Sequence, residues 1–450
     1  MKILWITNTI FPAPSKKLGL PISAFGGWMY GLAGQLAAIP DMKLAVATVY
    51  PGTDLKIYEI DNVRYYLLPC RVTKKYQKNL EHHWRRVMSD FSPDVVHIHG
   101  TEYLHGLACL RSCNEFNYLV SIQGLTGVCA RYYYSGLTTF DILRNITIRD
   151  LIRWDTIFHG KRNFVKQGFF EKEYLARCGH VTGRTSWDYA HAKAMNSKVT
   201  YHFCNETLRD GFYSSAKWAP ERKSDYTIFL SQSGYPIKGL HQVLKAVALL
   251  KNDFPDIKVR VAGTNIINRN TLIDRFKITG FGSYVYKLIN RLDLSKQVVF
   301  TGILSEKEMI KEYLSAHLFI CPSSIENSPN SLGEAQILGV PTIASFVGGV
   351  ADMVEHGKTG LLYRFEEIEM LAEQIRSIFN SPQLAKELSK QGIIAAAQRH
   401  NQDTNRHQII HIYSRVAKRN NKGSSGFCVR RVIHSHGCPA PIKGGRRGYG

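Results

Sequence analysis

Residues 323–363 read SSIENSPNSLGEAQILGVPTIASFVGGVADMVEHGKTGLLY. Two carboxylates, Glu326 and Glu334, stand in the Ser-, Asn-, Pro- and Gly-rich first part, just ahead of the apolar run VPTIASFVGG. Another apolar run, HLFICPS (317–323), precedes them. Apolar run, loop, helical pattern LGEAQILG and second apolar run describe strand, helix and strand of a parallel sheet covered on both faces. Ligands of open α/β sheets bind outside the carboxyl ends of the strands. Glu326 ends the loop after the first run and Glu334 begins the helix, so both acids are expected to face one cleft, at different depths. Backbone N–H groups of NSPNSLG (327–333), those of Asn330 and Ser331 included, are suited to hold a diphosphate there, and a carboxylate accepts two hydrogen bonds from vicinal ribose hydroxyls. Glu334 alone also reads as a charge at a helix N-terminus.

At 450 residues the chain exceeds the size at which one core keeps growing, so two domains are expected. A composition of 44% hydrophobic and 21% charged residues is that of an ordinary globular protein, which excludes global disorder. No run of about 18 apolar residues occurs, and MKILWITNTIFPAPS is too short and strand-like for a signal peptide. A cytoplasmic location follows as the expectation. Nine scattered cysteines without a CxxC pair read as reduced thiols. The formal charge of +22 calls for an anionic partner: nucleic acid, acidic phospholipid or a phosphorylated small molecule. Residues 418–450 hold eight Lys or Arg and no acid, leaving +14 on the rest. This Gly-, Ser- and Pro-containing stretch reads as a basic disordered tail. Its Cys428, His434, His436 and Cys438 match no common zinc spacing.

Two series of apolar runs organise the body. KILWITN (2–8), KLAVATVY (43–50), VRYYLLP (63–69), DVVHIHG (94–100), NYLVSIQG (117–124) and KVTYHFC (198–204) read as strands of a first domain, residues 1–209. YTIFLSQS, IKVRVAG, QVVFTGIL, HLFICPS and VPTIASFVGG read as strands of a second, residues 226–385. The polar segment 210–225 between them contains Pro220, follows neither period and reads as the linker; 386–417 forms a terminal helical segment. The fold class is α/β, with two doubly wound, Rossmann-like domains facing an interdomain cleft.

Candidate site residues lie where strands meet that cleft. Gly26 and Gly27 precede an amphipathic helix after the first strand, a turn that lets a phosphate approach backbone and helix dipole, or a tight turn for packing alone. His99 ends DVVHIHG at the lip of the cleft, with His97 deeper on the same side; the bland alternative is a satisfied structural histidine. Lys238 and Gly239 open a helix, where an ammonium near the positive end of the dipole implies an anion beside it, unless the lysine is merely solvated.

Taken in order, Glu326, Glu334, Gly339 with Pro341, Gly348-Gly349 and GKTGLL resemble the donor-site block of the family 4 retaining glycosyltransferases of the GT-B fold, also known as group 1. With Lys238-Gly239, Gly26-Gly27 and His99 in the corresponding places, the resemblance covers residues 1–415. VTGRTSWDYAHAKAMN and YHFCNETLRDGFY are similar to a branch that acts in bacterial surface-polysaccharide synthesis, lipopolysaccharide and capsule included. The resemblance implies a nucleotide sugar, UDP-linked, as cosubstrate. It implies Lys238 on the donor diphosphate, Glu334 on the ribose, Glu326 on sugar hydroxyls or a phosphate oxygen, and His99 near sugar and acceptor. One position departs: the family's Arg five residues before the Lys is Ser233 here, and Arg184 or Arg209 is the candidate replacement, the alternative for either being an interdomain ion pair.

The resemblance further implies retention of anomeric configuration by front-face attack, the departing phosphate taking the acceptor's proton. No D-x-D pair occurs in the chain, so transfer without a metal and without any other cofactor is expected. Segment 131–170 mixes Arg and Lys with Tyr, Trp, Phe and Ile at helical spacing, which suits a helix on an anionic membrane surface beside a saccharide or lipid-linked saccharide acceptor, or an ordinary basic surface helix. Two alternatives stand beside transfer: a nucleotide-sugar epimerase of the same architecture, and a basic nucleic-acid-binding protein. The latter needs basic residues interleaved with aromatics on a recognisable module, and none is present.

Overall fold

In the computed structural model, which describes residues 1–21, 26–70 and 76–418, the Val- and Ile-rich runs become the strands of two sheets. The first contains β1 Lys2–Ile6, β2 Lys43–Tyr50, β3 Lys56–Ile60, β4 Val63–Pro69, β5 Val95–His99, β6 Tyr118–Ser121, β7 His180–Gly183 and β8 Thr200–Phe203, in the order β3-β4-β2-β1-β5-β6-β7-β8. All neighbours are parallel except β3 and β4. The second contains β9 Thr227–Leu230, β10 Lys258–Ala262, β11 Val298–Gly302, β12 Leu318–Cys321, β13 Thr342–Ser345 and β14 Leu361–Tyr363, all parallel, in the order β11-β10-β9-β12-β13-β14. The central strands β1, β5, β9 and β12 are almost wholly buried because helices cover both faces, which is why they lack the alternation of a half-exposed strand.

The helices that carry the argument are α1 Gly27–Ala37, α2 Thr139–Arg144, α3 Ile148–Arg153, α4 Ile157–Arg177, α5 Leu240–Leu250, α6 Leu272–Lys277, α7 Gly280–Arg291, α8 Asn330–Leu338, α9 Pro382–Arg399 and α10 Gln402–Ala417. The terminal helical segment is thus two helices, and they divide between the domains. On α9, Ala385, Leu388 and Ala396 join the second core; on α10, Ile409, Ile412, Tyr413 and Val416, spaced as one helical face, join Ile3, Trp5, Val95 and Leu119 on the first sheet. Full burial of such side chains contributes roughly 1.5–3 kcal/mol each, so the end of the chain holds the two domains together.

Segment 210–225 differs from the expected open linker. It forms two short helical turns, Asp210–Ser214 and Pro220–Arg222, and buries Phe212 and Trp218 in the second core, where Trp218 Nε1 donates to Ala316 O at 2.8 Å. Segment 131–170 is likewise no single helix: α2 and α3 are short, each begun by a Thr–Asp capping box, and α4 follows. The basic tail, with Cys428 and Cys438, lies outside the described residues apart from Lys418. The other seven cysteines are free thiols.

Candidate active site

The carboxyl ends of the two sheets enclose a cavity of about 610 Å³. Gly26, Gly27 and Trp28 form its first-domain wall; Ser231–Tyr235 after β9, Ala262–Thr264 after β10, and Asn330, Ser331 and Glu334 of α8 form the opposite one, with Arg209 between the domains. Gly26 caps α1 at φ 82°, a conformation glycine adopts without strain. The first amides of α8 have no partner within the helix, so α8 brings unpaired donors and the positive end of its dipole to this wall. Ser233 Oγ and Asn330 Oδ1 are buried without a hydrogen-bond partner, and buried polar groups are rarely left so.

Glu334 is buried on α8, and Arg209 donates to its Oε1 from both Nε (3.0 Å) and Nη2 (2.8 Å). Burial pushes the Glu334 carboxyl above its ordinary value, and the Arg209 charge opposes that shift. Of the two arginines weighed as replacements for the missing cation at Ser233, Arg209 alone lines this cavity. Arg184 forms a buried ion pair with Glu206 within the first domain and is not at the donor wall, a correction to its expected place. The reason is local: β7 ends at Gly183, and Arg184, the next residue, is held by the Glu206 carboxylate and the Gln123 carbonyl just beyond the neighbouring strands.

Lys238 ends a short 3-10 turn and donates to Glu326 Oε1 at 2.6 Å; Ser323 Oγ donates to the same oxygen at 2.7 Å. Burial draws the Lys238 ammonium down, but the Glu326 charge and Tyr235 outweigh it and hold the group above its ordinary value. The anion expected beside this lysine is therefore supplied by the protein itself. Gly239, at φ 70°, lets the turn pass Pro322, whose carbonyl oxygen would lie 1.7 Å from any Cβ at that position. The loop carrying Glu326 also touches the first domain: Thr185 Oγ1 donates to Asn327 Oδ1 at 2.7 Å, and Ser135 and Ser324 hydroxyls are 2.9 Å apart.

His99 is not at the lip of the cleft. It is 4% exposed, packed between Trp5, Trp28 and His97, and both ring nitrogens lack a partner. Burial lowers its pKa to about 3, so the ring is neutral. It lines a separate cavity of about 30 Å³ with Thr182, Arg184 and Glu206, a volume that suits an ordered water rather than a sugar. Among the described residues only Trp28 lines both cavities. The cause is Trp28, the second residue of α1, whose indole covers the end of β5.

Two carboxylates were not legible beforehand. Glu102 follows β5 in the turn after Gly100, and burial, with the nearby Glu171 charge, raises its pKa to about 7. Glu171, on α4, accepts from Thr126 N at 2.6 Å, Thr126 Oγ1 at 2.7 Å and Gly127 N at 2.7 Å. Only the short polar run GTE after an apolar strand marks Glu102 in the sequence. Nothing marks Glu171, which reads as one surface charge of an amphipathic helix.

The arrangement of two facing Rossmann-like sheets with a chain end that crosses back is the GT-B fold. The sucrose-phosphate synthase of Thermosynechococcus elongatus superposes with a TM-score of 0.68 at 16% identity, over 92% of this chain and 99% of that one. Anabaena HepE, solved with UDP and glucose, superposes at 0.61 and 16%, over 92% and 100%. In sequence, residues 214–394 match the family model of glycosyl transferases group 1, so the second domain is a group 1 glycosyltransferase domain, as the block at 323–363 implies. The GDP-mannose-dependent alpha-mannosyltransferase of Corynebacterium glutamicum is 26% identical over 209 residues, 43% of this chain and 46% of that protein. The chain spans less than half the length of the curated relatives it matches.

Proposed function

We propose that this protein is a retaining glycosyltransferase that moves a sugar from a nucleotide sugar, UDP-linked, to a saccharide or lipid-linked saccharide acceptor, in surface-polysaccharide biosynthesis. The observation that carries the reading is the partly buried Arg209–Glu334 pair in the wall of a 610 Å³ cavity that also holds the first turns of α1 and α8. Glu334 holds the ribose hydroxyls, and its second oxygen, with only Tyr313 at 3.5 Å beside it, is available for them. Arg209 and the α8 amides at Asn330 and Ser331 take the diphosphate, which answers the loss of the usual cation at Ser233. Group 1 membership of the second domain and the UDP-bound HepE of the same fold support the nucleotide assignment.

In the reaction, the bond from the anomeric carbon to the diphosphate breaks, the acceptor oxygen bonds to that carbon from the same face, and the acceptor's proton passes to a departing phosphate oxygen. Negative charge grows on the diphosphate as it leaves, and fixed donors aimed at it lower the barrier more than they strengthen ground-state binding. Lys238 serves this step by turning its ammonium from Glu326 to the diphosphate. Glu326, released, is placed for sugar hydroxyls. We further propose that no metal takes part: the chain has no D-x-D pair, and among the described residues no three His, Cys, Asp or Glu side chains lie together as ligands. A thermal-shift screen of nucleotides and nucleotide sugars tests the reading. Stabilisation by UDP and one UDP-sugar is expected; no shift with any nucleotide at millimolar concentration overturns it.

A further inference from the structure

Helix α3 is inside out. Its Asp150 is buried, accepting from Gly280 N at 2.7 Å, while Ile148, Leu151 and Ile152, at the spacing of one helical face, point to solvent. Ile152 and, at the end of the helix, Trp154 are each 74% exposed. An amphipathic helix normally turns that face to the core, so six residues that do the reverse need an apolar partner outside the fold. The neighbours repeat the pattern: Phe140 and Leu143 of α2 are exposed, and so are Ile273 and Phe276, three residues apart on α6 of the second domain. These helices adjoin one another. Thr147 Oγ1 donates to Ile278 O at 3.0 Å, Lys287 of α7 donates to Arg144 O at 3.4 Å, and α6 contacts α3.

Charge says what the partner is. Arg144, Arg153, Arg275 and Lys277 are exposed on the same helices. The carboxylates among them are all engaged: Asp141, Asp150 and Asp274 in capping boxes, and Asp155 with Arg149. Beside α6, Arg269 and Arg275 line a cavity of about 480 Å³ with Tyr286 and three asparagines, and the Nε of Arg269, whose guanidinium lies 4.3 Å from the Tyr286 ring, has no hydrogen-bond partner. Exposed aliphatic and tryptophan side chains ringed by unpaired cations are the features of a surface that enters the headgroup region of an anionic bilayer.

We propose that α2, α3 and α6 form one membrane-docking face contributed by both domains, with the apolar side chains entering an anionic lipid bilayer and Arg269 and Arg275 taking a lipid phosphate. The proposal does not rest on the transfer reaction, and its test does not measure it. The full chain is sedimented with vesicles of phosphatidylcholine alone or mixed with phosphatidylglycerol, as wild type and as Ile152→Ser/Trp154→Ser, Ile273→Ser/Phe276→Ser and Arg269→Gln/Arg275→Gln. These side chains are at the surface, and thermal melts check that each variant is folded. Wild type is expected to prefer the anionic vesicles, and each pair of substitutions to weaken binding about tenfold or more. Every variant retains the basic residues 418–450, so binding by that segment alone would leave the variants equal to wild type and overturn the proposal. So would wild type that ignores both vesicles at low salt. A wild-type dimer that the serine substitutions dissociate would assign the face to a second copy of the chain and overturn it as well.

Discussion

At the scale of single residues, the two acids of the opening stretch have different partners and so should fail differently. Glu334 is bound to Arg209, and a charged hydrogen-bonding pair on ribose is worth roughly 1.5–3 kcal/mol, so Glu334→Gln is expected to weaken UDP and the UDP-sugar about tenfold or more alike. Calorimetric titration decides this; equal UDP affinity removes the ribose role. Glu326→Ala frees Lys238 from a competing carboxylate, so UDP affinity should stay or rise while single-turnover transfer drops, and unimpaired transfer would leave Glu326 a structural partner of Lys238. His99 offers a test by pH. Its folded pKa of about 3 lies below the unfolded value near 6.5, so between these values the unfolded chain binds the extra proton and stability is lost as pH is lowered. At pH 4.5 the loss from this group is on the order of 2–3 kcal/mol relative to pH 7. His99→Leu should therefore flatten the fall in melting temperature between pH 7 and 4.5, with UDP affinity unchanged. A drop in UDP affinity would return His99 to the donor site.

Among the elements, α10 decides how the first domain is closed. Trp5 Nε1 donates to the Tyr413 hydroxyl at 2.8 Å, that hydroxyl donates to His97 Nδ1 at 2.7 Å, and His97 Nε2 donates to Ser121 Oγ at 2.6 Å. The chain of bonds joins β1, α10, β5 and β6 through wholly buried groups, and His97 is held neutral by burial. Tyr413→Phe keeps the packing and strands two buried polar groups, each costing about 1–3 kcal/mol. The melting temperature should fall by several degrees, and a change below about 1 °C would mean that water replaces the hydroxyl.

For the whole molecule, the cleft is closed from both sides. Asn327 reaches the first domain through Thr185, Asp352 accepts from Ser186 N at 2.7 Å, and α10 crosses from the second domain to the first. Among the described residues Arg209 is the cation that lines the donor cavity, and with Lys238 proposed to join it on the diphosphate the transfer rate should stay within about twofold in excess EDTA. Loss of activity restored by Mn²⁺ or Mg²⁺ would reveal metal ligands beyond those side chains. Among the described residues no helix is long and apolar enough to cross a membrane.

The sheets were legible because strands buried on both faces must be apolar throughout, and eleven runs were read on that ground; β3, β7 and β14 were not. β3 is an exposed antiparallel edge, β14 is three residues long, and β7 reads HVTG, with a His, a Thr and a Gly around a single Val. Gly239, Glu326 and Glu334 could be read locally because a strand, a tight turn and a helix N-terminus fix them within a few residues of one another. Which charge meets which could not. Arg209 and Glu334 are 125 positions apart, Lys238 and Glu326 are 88 apart, and Tyr413 meets Trp5 across 408. His99 and Arg184 fall in a different cavity from the one expected, His99 because the Trp28 indole packs against it and Arg184 because Glu206 holds it. Apolar pattern and local turn chemistry set the elements through contacts within a few residues. Pairing of charges and shielding of side chains depend on which elements the folded chain brings together, and only the tertiary structure decides that.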